Sequence, residues 1–481
     1  MEQNVMAQLL LPGIDATVIL QILILAGSAL LLLLIDLAIP DQHKRITALL
    51  ALAATVAAIV AGPMSSQGVT LAGAIAFGAS TLIVNTIILV ATAISILYAS
   101  DSLPKQGIER GEAYTLILLA STGMLILAQG ASLITLFMGL ELLSIALYIL
   151  TALAYPRLAS EEAGLKYLII GAFGAGFLVF GIALTFGATG TLLLGEIGSR
   201  IPSGGIEQLY FFAGVALMLV GLGYKVSLVP FHMWTPDVYE GAPTAVTAYM
   251  SVGSKVAGFI AIIAMTQMLQ AAVGTLQPLL MGIAVVTMLV GSIVAISQTS
   301  VKRMLAYSSI GHAGFILLGV LTSAAGQGLM APIFYMVAYT VTNLAAFGVV
   351  MAVERADGHD LQVSDLAGLW ERSPWLTVIM ALALLSLAGV PPTVGFLAKF
   401  QILSAVWSAG SMWLAAAAAL ASAISAFFYV RTLIQLFSGD TTAPIDRPAA
   451  STTLALALAG AAIVLLGIMP WAVTSVALAG N

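Results

Sequence analysis

The stretch Leu222–Lys255, LGYKVSLVPFHMWTPDVYEGAPTAVTAYMSVGSK, decides how the rest of the chain is read. Its two lysines, Lys225 and Lys255, lie in apolar segments that otherwise tolerate no charge. Between them Pro230 interrupts one hydrophobic segment, and a short polar turn, Thr235 to Pro243, leads into the next. A lysine in hydrocarbon costs about 2.5–3.5 kcal/mol even on the permissive insertion scale. A proline inside a helix removes a backbone donor and clashes with the preceding turn. The polar groups it frees persist at membrane depth only where protein or a water-filled cavity covers them. Two buried cations beside such a break point to conduction of ions or protons.

The composition around this stretch is that of a polytopic membrane protein. The 481 residues are 61% hydrophobic and 8% charged, with a mean hydropathy of +1.10, whereas a soluble domain carries about 25% charged residues. The formal net charge of −5 is spread over short loops, and there is no basic tract for nucleic acid. The absence of cysteine excludes structural disulfides, Cys-ligated iron–sulfur clusters and thiolate zinc sites in this chain. Neither GxGxxG nor a Walker pattern is present. The glycine-containing stretch Gly171–Gly176 lies inside a hydrophobic span, where small residues serve close helix packing. MEQNVMAQLL lacks the cationic region of a cleavable signal peptide, so the first hydrophobic segment is read as a retained helix.

About 20 apolar residues cross the hydrocarbon core. That rule predicts an all-α protein of fourteen spans: 14–38, 46–62, 70–98, 112–128, 131–153, 164–188, 209–234, 242–269, 276–297, 303–322, 329–353, 374–403, 411–436 and 452–477. The runs are long and continuous, which excludes a closed barrel. Loops after odd-numbered spans hold Lys44, Arg45, Lys105, Arg110, Arg157, Lys302, Arg303, Arg355, Arg372 and Arg447, against Arg200 alone on the other side. The positive-inside rule then puts those loops in the cytoplasm and both termini outside.

A second break, Pro391-Pro392, lies in the twelfth span. Matching breaks in the seventh and twelfth spans predict two five-helix repeats. Five is odd, so consecutive copies run in opposite orientations, the inverted plan of secondary transporters. The expected division is 1–111 for the first three helices, 112–269 and 270–437 for the repeats, and 438–481 for the last helix.

Glu141, Lys225, Lys255 and Lys399 sit inside spans. Burial disfavours a charged form and an opposite charge favours it, so a lysine near a movable carboxylate can be switched between holding and releasing a proton. A static ion pair that only fixes helix contacts would use the same residues. Lys399 falls toward a helix end, where a lysine can snorkel to the surface. Histidine titrates near neutrality and can relay protons, which makes His232 and His312 candidates, although an intramembrane histidine can equally be a packing residue. Ser144, Tyr148, Ser227, Ser251, Ser254, Tyr335 and Thr340 could hold water between them. Two histidines without a carboxylate cluster argue against a metal site. Asp36 and Glu112 sit at span ends, as interfacial residues do.

VPFHMWTPDVYEGAPTAVTAYMSVGSKVAGF (229–259), KRMLAYSSIGHAGF (302–315) and GVPPTVGFLAKF (389–400) together resemble the signature of subunit N of the proton-pumping NADH:quinone oxidoreductase, respiratory complex I. The resemblance extends over essentially all fourteen spans. It implies that Lys225 is the central proton carrier, Glu141 its modulating carboxylate, Lys255 the connecting lysine, His312 a further relay and Lys399 the terminal lysine of the exit path. Lysine at 399 and at 255 favours N over the sister subunits L and M. So does the lack of a long lateral C-terminal helix, since the chain ends soon after span fourteen. The resemblance also implies a bacterial inner membrane location beside subunits M and K. It implies no cofactor in this chain, with NADH, FMN, iron–sulfur clusters and quinone held by partner subunits. A cation/proton antiporter subunit of a related complex is the alternative.

Overall fold

A computed structural model describes residues 13–40, 43–269, 273–322, 328–354, 361–439, 445, 447–471 and 473. The amino-terminal decapeptide, Arg355 and residues 356–360 of the polar connection lie outside the described residues. The helices of eight residues or more are, in order, α1 (Leu20–Asp36), α2 (Arg45–Ala61), α3 (Ala79–Lys105), α4 (Gly111–Gln129), α5 (Leu133–Thr151), α6 (Leu158–Thr189), α7 (Gly205–Lys225), α8 (Trp234–Gly241), α9 (Thr244–Met268), α10 (Val273–Ile296), α11 (Val301–Thr322), α12 (Met330–Val353), α13 (Pro374–Ala388), α14 (Val394–Ser408), α15 (Met412–Phe437) and α16 (Ala450–Ile468). Twelve of them are long and apolar enough to cross a membrane, and α1, α13 and α14 are shorter apolar helices. α13 and α14 are the two halves of one interrupted span.

One segment differs in kind from the sequence reading. Residues 70–78 do not belong to a helix. Gly68–Thr70 and Ile75–Phe77 pair as an antiparallel hairpin, and α3 begins only at Ala79. The cause is local: Leu71, Ala72 and Gly73 all take left-handed φ angles in the turn, which a continuing helix cannot accommodate. α4 and α5 are separated by three extended residues. There the Ala131 and Leu194 N–H groups donate to Ala74 and Ala131 carbonyls at 2.9 and 3.0 Å, and the Leu133 N–H donates to Leu192 O at 2.9 Å. The polar backbone of this turn is thereby satisfied by neighbouring turns.

Burial sorts the helices into a centre and a periphery. In α11, 94% of the most apolar window is buried, against 33% in α6. α9 and α12 are as enclosed as α11 and form the middle of the molecule with it. Apolar residues are spread around all sides of them, as in a surrounded helix, with a few buried polar side chains among them. Glycines allow close approach elsewhere. A Cβ at Gly123 would stand 2.5 Å from Leu143 N, and one at Gly139 would stand 2.6 Å from Leu127 N, so α4 and α5 touch backbone to backbone. Within Gly171–Gly176 the packing role holds at Gly171, against Tyr148, and at Gly174, against Tyr224. Gly176 has nothing within 4 Å.

Candidate functional site

The first break follows directly from the chain between Lys225 and Trp234. α7 closes with the Val226 and Leu228 N–H groups donating to Leu222 O (3.1 Å) and Gly223 O (2.8 Å). Ser227 takes a φ of +65°, and its Oγ accepts a hydrogen bond from the Thr235 hydroxyl at 2.7 Å. The Val229 N–H donates to Thr287 Oγ1 of α10 (3.1 Å), and the Trp234 indole donates to Tyr224 O (3.0 Å). The polar groups released by Pro230 therefore have protein partners, as membrane depth demands.

This ending puts Lys225 at the C-terminus of α7, fully buried. The free carbonyls of a helix C-terminus carry roughly half a negative charge and favour a cation. The Lys225 ammonium donates to Ser144 Oγ (2.8 Å) and Tyr167 OH (3.3 Å) and lies 5.4 Å from the Tyr167 ring centre. Tyr167 is itself stacked on Trp234 at 4.6 Å and meets Tyr148 edge-on at 4.7 Å. Glu141 is one turn before Ser144 on α5. It makes no ion pair within 4 Å of Lys225, and its buried Oε1 has no hydrogen-bond partner. In this arrangement the lysine is held by hydroxyls, with a carboxylate close by on the same helix.

Lys255, His312 and Lys399 form a second stretch across α9, α11, α12, α14 and α15. Lys255 is buried, and its ammonium donates to Ser309 O (2.5 Å) and to the Ser309 hydroxyl. Tyr339 OH donates to the same Ser309 Oγ at 2.7 Å. The Tyr339 ring lies 5.3 Å from His312. His312 shares hydrogen bonds with Tyr335 OH through Nδ1 (2.8 Å) and with Tyr429 OH through Nε2 (3.1 Å). Tyr335 stacks on Phe315, and the Lys399 ammonium lies 5.4 Å from that ring.

Lys399 does not snorkel. It is 6% exposed, and its ammonium donates to Ala388 O (3.0 Å) and Ser422 Oγ (3.1 Å). Ala388 is the last residue of α13, so Lys399 reaches back across the second break onto a helix C-terminus. The second break thus supplies a negative helix end to the Lys399 ammonium, whereas Lys225 is itself the last residue of α7 and its ammonium bonds to Ser144 and Tyr167. Sequence position left a snorkelling side chain open for Lys399 because it gave no direction for the side chain.

The two stretches abut along α9. A Cβ on Gly258, three residues after Lys255, would lie 3.6 Å from Lys225 Cγ. No hydrogen bond among the described residues joins Lys225 to Lys255. His232 is half-buried in the first break, and its Nδ1 has no partner. Its carbonyl accepts from the Thr235 N–H at 3.0 Å, and its side chain hydrogen-bonds to the Pro230 backbone. Ser144, Tyr148 and Tyr335 of the expected hydroxyls contact the row. Tyr167, Ser309, Tyr339, Ser422 and Tyr429 were not singled out from sequence. The available signal was a polar aromatic or serine in an otherwise apolar helix, too common to choose among without the contacts. Among the described residues no three His, Asp or Glu side chains gather as a metal site would need.

At the loop end of the molecule an ionic network ties α6, α8 and α11 together. Arg303 donates to Asp237 (2.9 Å) and Glu240 (2.8 Å), and Lys166 pairs with Asp237 (2.9 Å) and Glu162 (2.7 Å). Burial alone would raise the Asp237 carboxyl. Hydrogen bonds from Lys166 and Arg303, with their charges, outweigh burial and hold it below the ordinary carboxylate value.

Such an arrangement defines a class: a multi-pass helical membrane protein with interrupted helices and a buried row of lysines suited to moving charge. Residues 130–425 match the family model described as NADH:quinone oxidoreductase/Mrp antiporter, TM. The chain is 48% identical to NADH-quinone oxidoreductase subunit N 2 of Roseiflexus castenholzii, over 97% of this chain and 96% of the relative. It is 46% identical to NADH-quinone oxidoreductase subunit N of Chloroflexus aggregans, over 97% of both. A chain of respiratory complex I from Thermus thermophilus with bound aureothin superposes with a TM-score of 0.79 at 30% identity, covering 94% of this chain and 97% of that one. A chain of the Mrp complex from Dietzia shares the fold, with a TM-score of 0.81 at 20% identity over 96% and 95% of the two chains. This chain belongs to the NADH:quinone oxidoreductase/Mrp antiporter transmembrane family.

Proposed function

We infer that the chain is a proton-translocating membrane subunit of an NADH:quinone oxidoreductase, with the redox work done in partner subunits. The observation that carries this reading is the pair of buried lysines, one ending the helix before a break and one bonded to a helix C-terminus across a break, with a buried histidine and lysine between them. A neutral scaffold would not need lysines at three buried positions, where each charge costs solvation.

In the proposed sequence, Glu141 competes with Ser144 for the Lys225 ammonium. When charge elsewhere in the membrane arm draws the two together, the carboxylate stabilises the charged lysine and holds its proton; when the two separate, that support is lost and the proton moves on. Lys255, held by Ser309 and Tyr339, receives it, and His312 with Tyr335 and Tyr429 conducts it toward Lys399. Lys225 then returns to Ser144. The basic loops face the cytoplasm, both termini lie on the outer side of a bacterial inner membrane, and the spans from α4 to α9 and from α10 to α15 form inverted repeats. Subunits M and K are the expected neighbours, and NADH, FMN, iron–sulfur clusters and quinone belong to partners. His232 supports the first break.

Purification with native partners and reconstitution into vesicles tests the reading, which expects NADH:quinone activity coupled to proton uptake. The family model also covers Mrp antiporters, so the isolated chain is the control. Exchange of sodium or potassium for protons by that chain alone, without redox partners, would replace this reading with the antiporter one.

A further inference from the structure

The short helix α8 touches both lysine clusters and places Tyr239 between them. Trp234, at its start, stacks on Tyr167, whose hydroxyl accepts from the Lys225 ammonium at 3.3 Å. The same indole meets the Tyr239 ring edge-on at 6.2 Å, and Phe347 of α12 meets that ring edge-on at 6.3 Å. Three neighbouring helices fix α8. Its Asp237 and Glu240 pair with Lys166 of α6 and Arg303 of α11, and the Tyr239 carbonyl accepts from Thr247 Oγ1 of α9 at 2.9 Å. Tyr239 is 0% exposed, so its hydroxyl cannot turn to solvent.

That hydroxyl faces the Ser309 hydroxyl just outside full hydrogen-bond geometry, and no group among the described residues bonds to it. It also interacts electrostatically with the Tyr167 and Tyr339 hydroxyls, one from each cluster. A buried polar group left unbonded costs stability, and phenylalanine would fill this position without that cost. Ser309 has the complementary need. A hydroxyl offers one hydrogen and two lone pairs. Ser309 Oγ accepts from Lys255 and from Tyr339 OH, which leaves its own hydrogen for Tyr239. Tyr167 OH likewise accepts from Lys225 and has its hydrogen to give.

We propose that the Tyr239 hydroxyl is the relay group between Lys225 and Lys255, open in this arrangement and closed when it swings into bonds with Tyr167 and Ser309. In the closed chain the Lys225 ammonium gives a proton to the Tyr167 oxygen. Tyr167 passes its own hydrogen to Tyr239, Tyr239 passes its own to Ser309, and Ser309 passes its own to the nitrogen of a neutral Lys255. Each hydroxyl gains one hydrogen and loses one, so no tyrosinate forms; Lys225 ends neutral and Lys255 charged. The open link keeps the two lysines from equilibrating between strokes. This inference rests on the proton-translocating reading above.

Tyr239→Phe keeps the ring against Trp234 and Phe347 and removes only the oxygen. In vesicles carrying the whole complex, NADH-driven proton uptake should fall about tenfold or more, as loss of a positioned proton-transfer group does. Assembly on native gels should be unchanged, and the thermal midpoint should equal or exceed that of the wild type, because the hydroxyl removed was unbonded. Incorporation of 3-fluorotyrosine at position 239 restores the hydroxyl and should recover most of the rate. Ser309→Ala should add little to Y239F although it slows uptake alone, since both break one link. A fall in Y239F of less than about tenfold, a lowered midpoint, no recovery with 3-fluorotyrosine, or additive losses with S309A would each overturn the bridge. The underlying function is judged separately. A Lys225→Ala complex that still pumps rejects the relay itself, whereas a silent Lys225→Ala complex beside a wild-type Y239F one rejects Tyr239 alone.

Discussion

Ser144→Ala removes the hydroxyl that holds the Lys225 ammonium at 2.8 Å and leaves only Tyr167 OH at 3.3 Å. A hydrogen bond to a charged group contributes about 1.5–3 kcal/mol. Loss of that amount favours the alternative partner, Glu141, whose Oε1 has no competing donor. The ratio of carboxylate-paired to hydroxyl-held lysine should rise about 10- to 150-fold. A relay that must leave the carboxylate in every cycle slows accordingly. Proton uptake into NADH-energised vesicles should fall about tenfold or more while the complex still assembles. Ser144→Thr keeps an oxygen that can accept from Lys225 and donate to Leu140 O, as Ser144 does, and should restore most of the rate. Glu141→Gln in the S144A background should remove the trap, making the two effects non-additive. Wild-type pumping by S144A, or a Thr variant as impaired as the Ala variant, would refute the competition between serine and carboxylate.

Three further outcomes follow from the same contacts. Lys255→Met removes a buried cation that hydrogen-bonds to Ser309 and pairs with no described carboxylate, so it should abolish pumping without lowering the thermal midpoint of the complex, measured by calorimetry. Arg303→Ala breaks two partly exposed ion pairs worth about 0.2–1 kcal/mol each. The loss in thermal stability should be small, and high salt should shrink it. Because Asp237 is held below its ordinary value, the network's contribution should persist at neutral pH and disappear as pH falls through that lowered value. Gly395→Ala would put a Cβ 1.9 Å from Ser386 O, an overlap that forces α13 and α14 apart. It should reduce the assembled complex on native gels, whereas Gly187→Ala, with nothing within 4 Å, should be tolerated.

Much of the architecture was legible because the bilayer imposes simple rules. Length and hydropathy locate helices well where a span is continuous, as at Met330–Val353. They fail where apolar residues form a turn outside hydrocarbon, as at Leu71–Gly73 before α3. The buried lysines and both breaks stand out in sequence because charge and proline are costly in that setting. Which partner each lysine takes was not legible. Lys225 bonds to Ser144 rather than pairing with Glu141, and Lys399 turns back onto Ala388. Both outcomes depend on rotamers and helix crossings that no spacing encodes. Lys166, which the sequence did not single out, pairs with Asp237 across 71 residues. Tyr167 and Tyr429 likewise gain meaning only through the rings and hydroxyls they touch.

The central claim is that protons cross this chain through lysines shielded from bulk water. Lys225→Ala removes the ammonium at the end of α7 while leaving the first break's backbone hydrogen bonds in place. Measured as NADH-driven proton uptake in vesicles carrying the assembled complex, pumping should be abolished or sharply lowered with assembly largely intact. Uptake at the wild-type level would contradict the account.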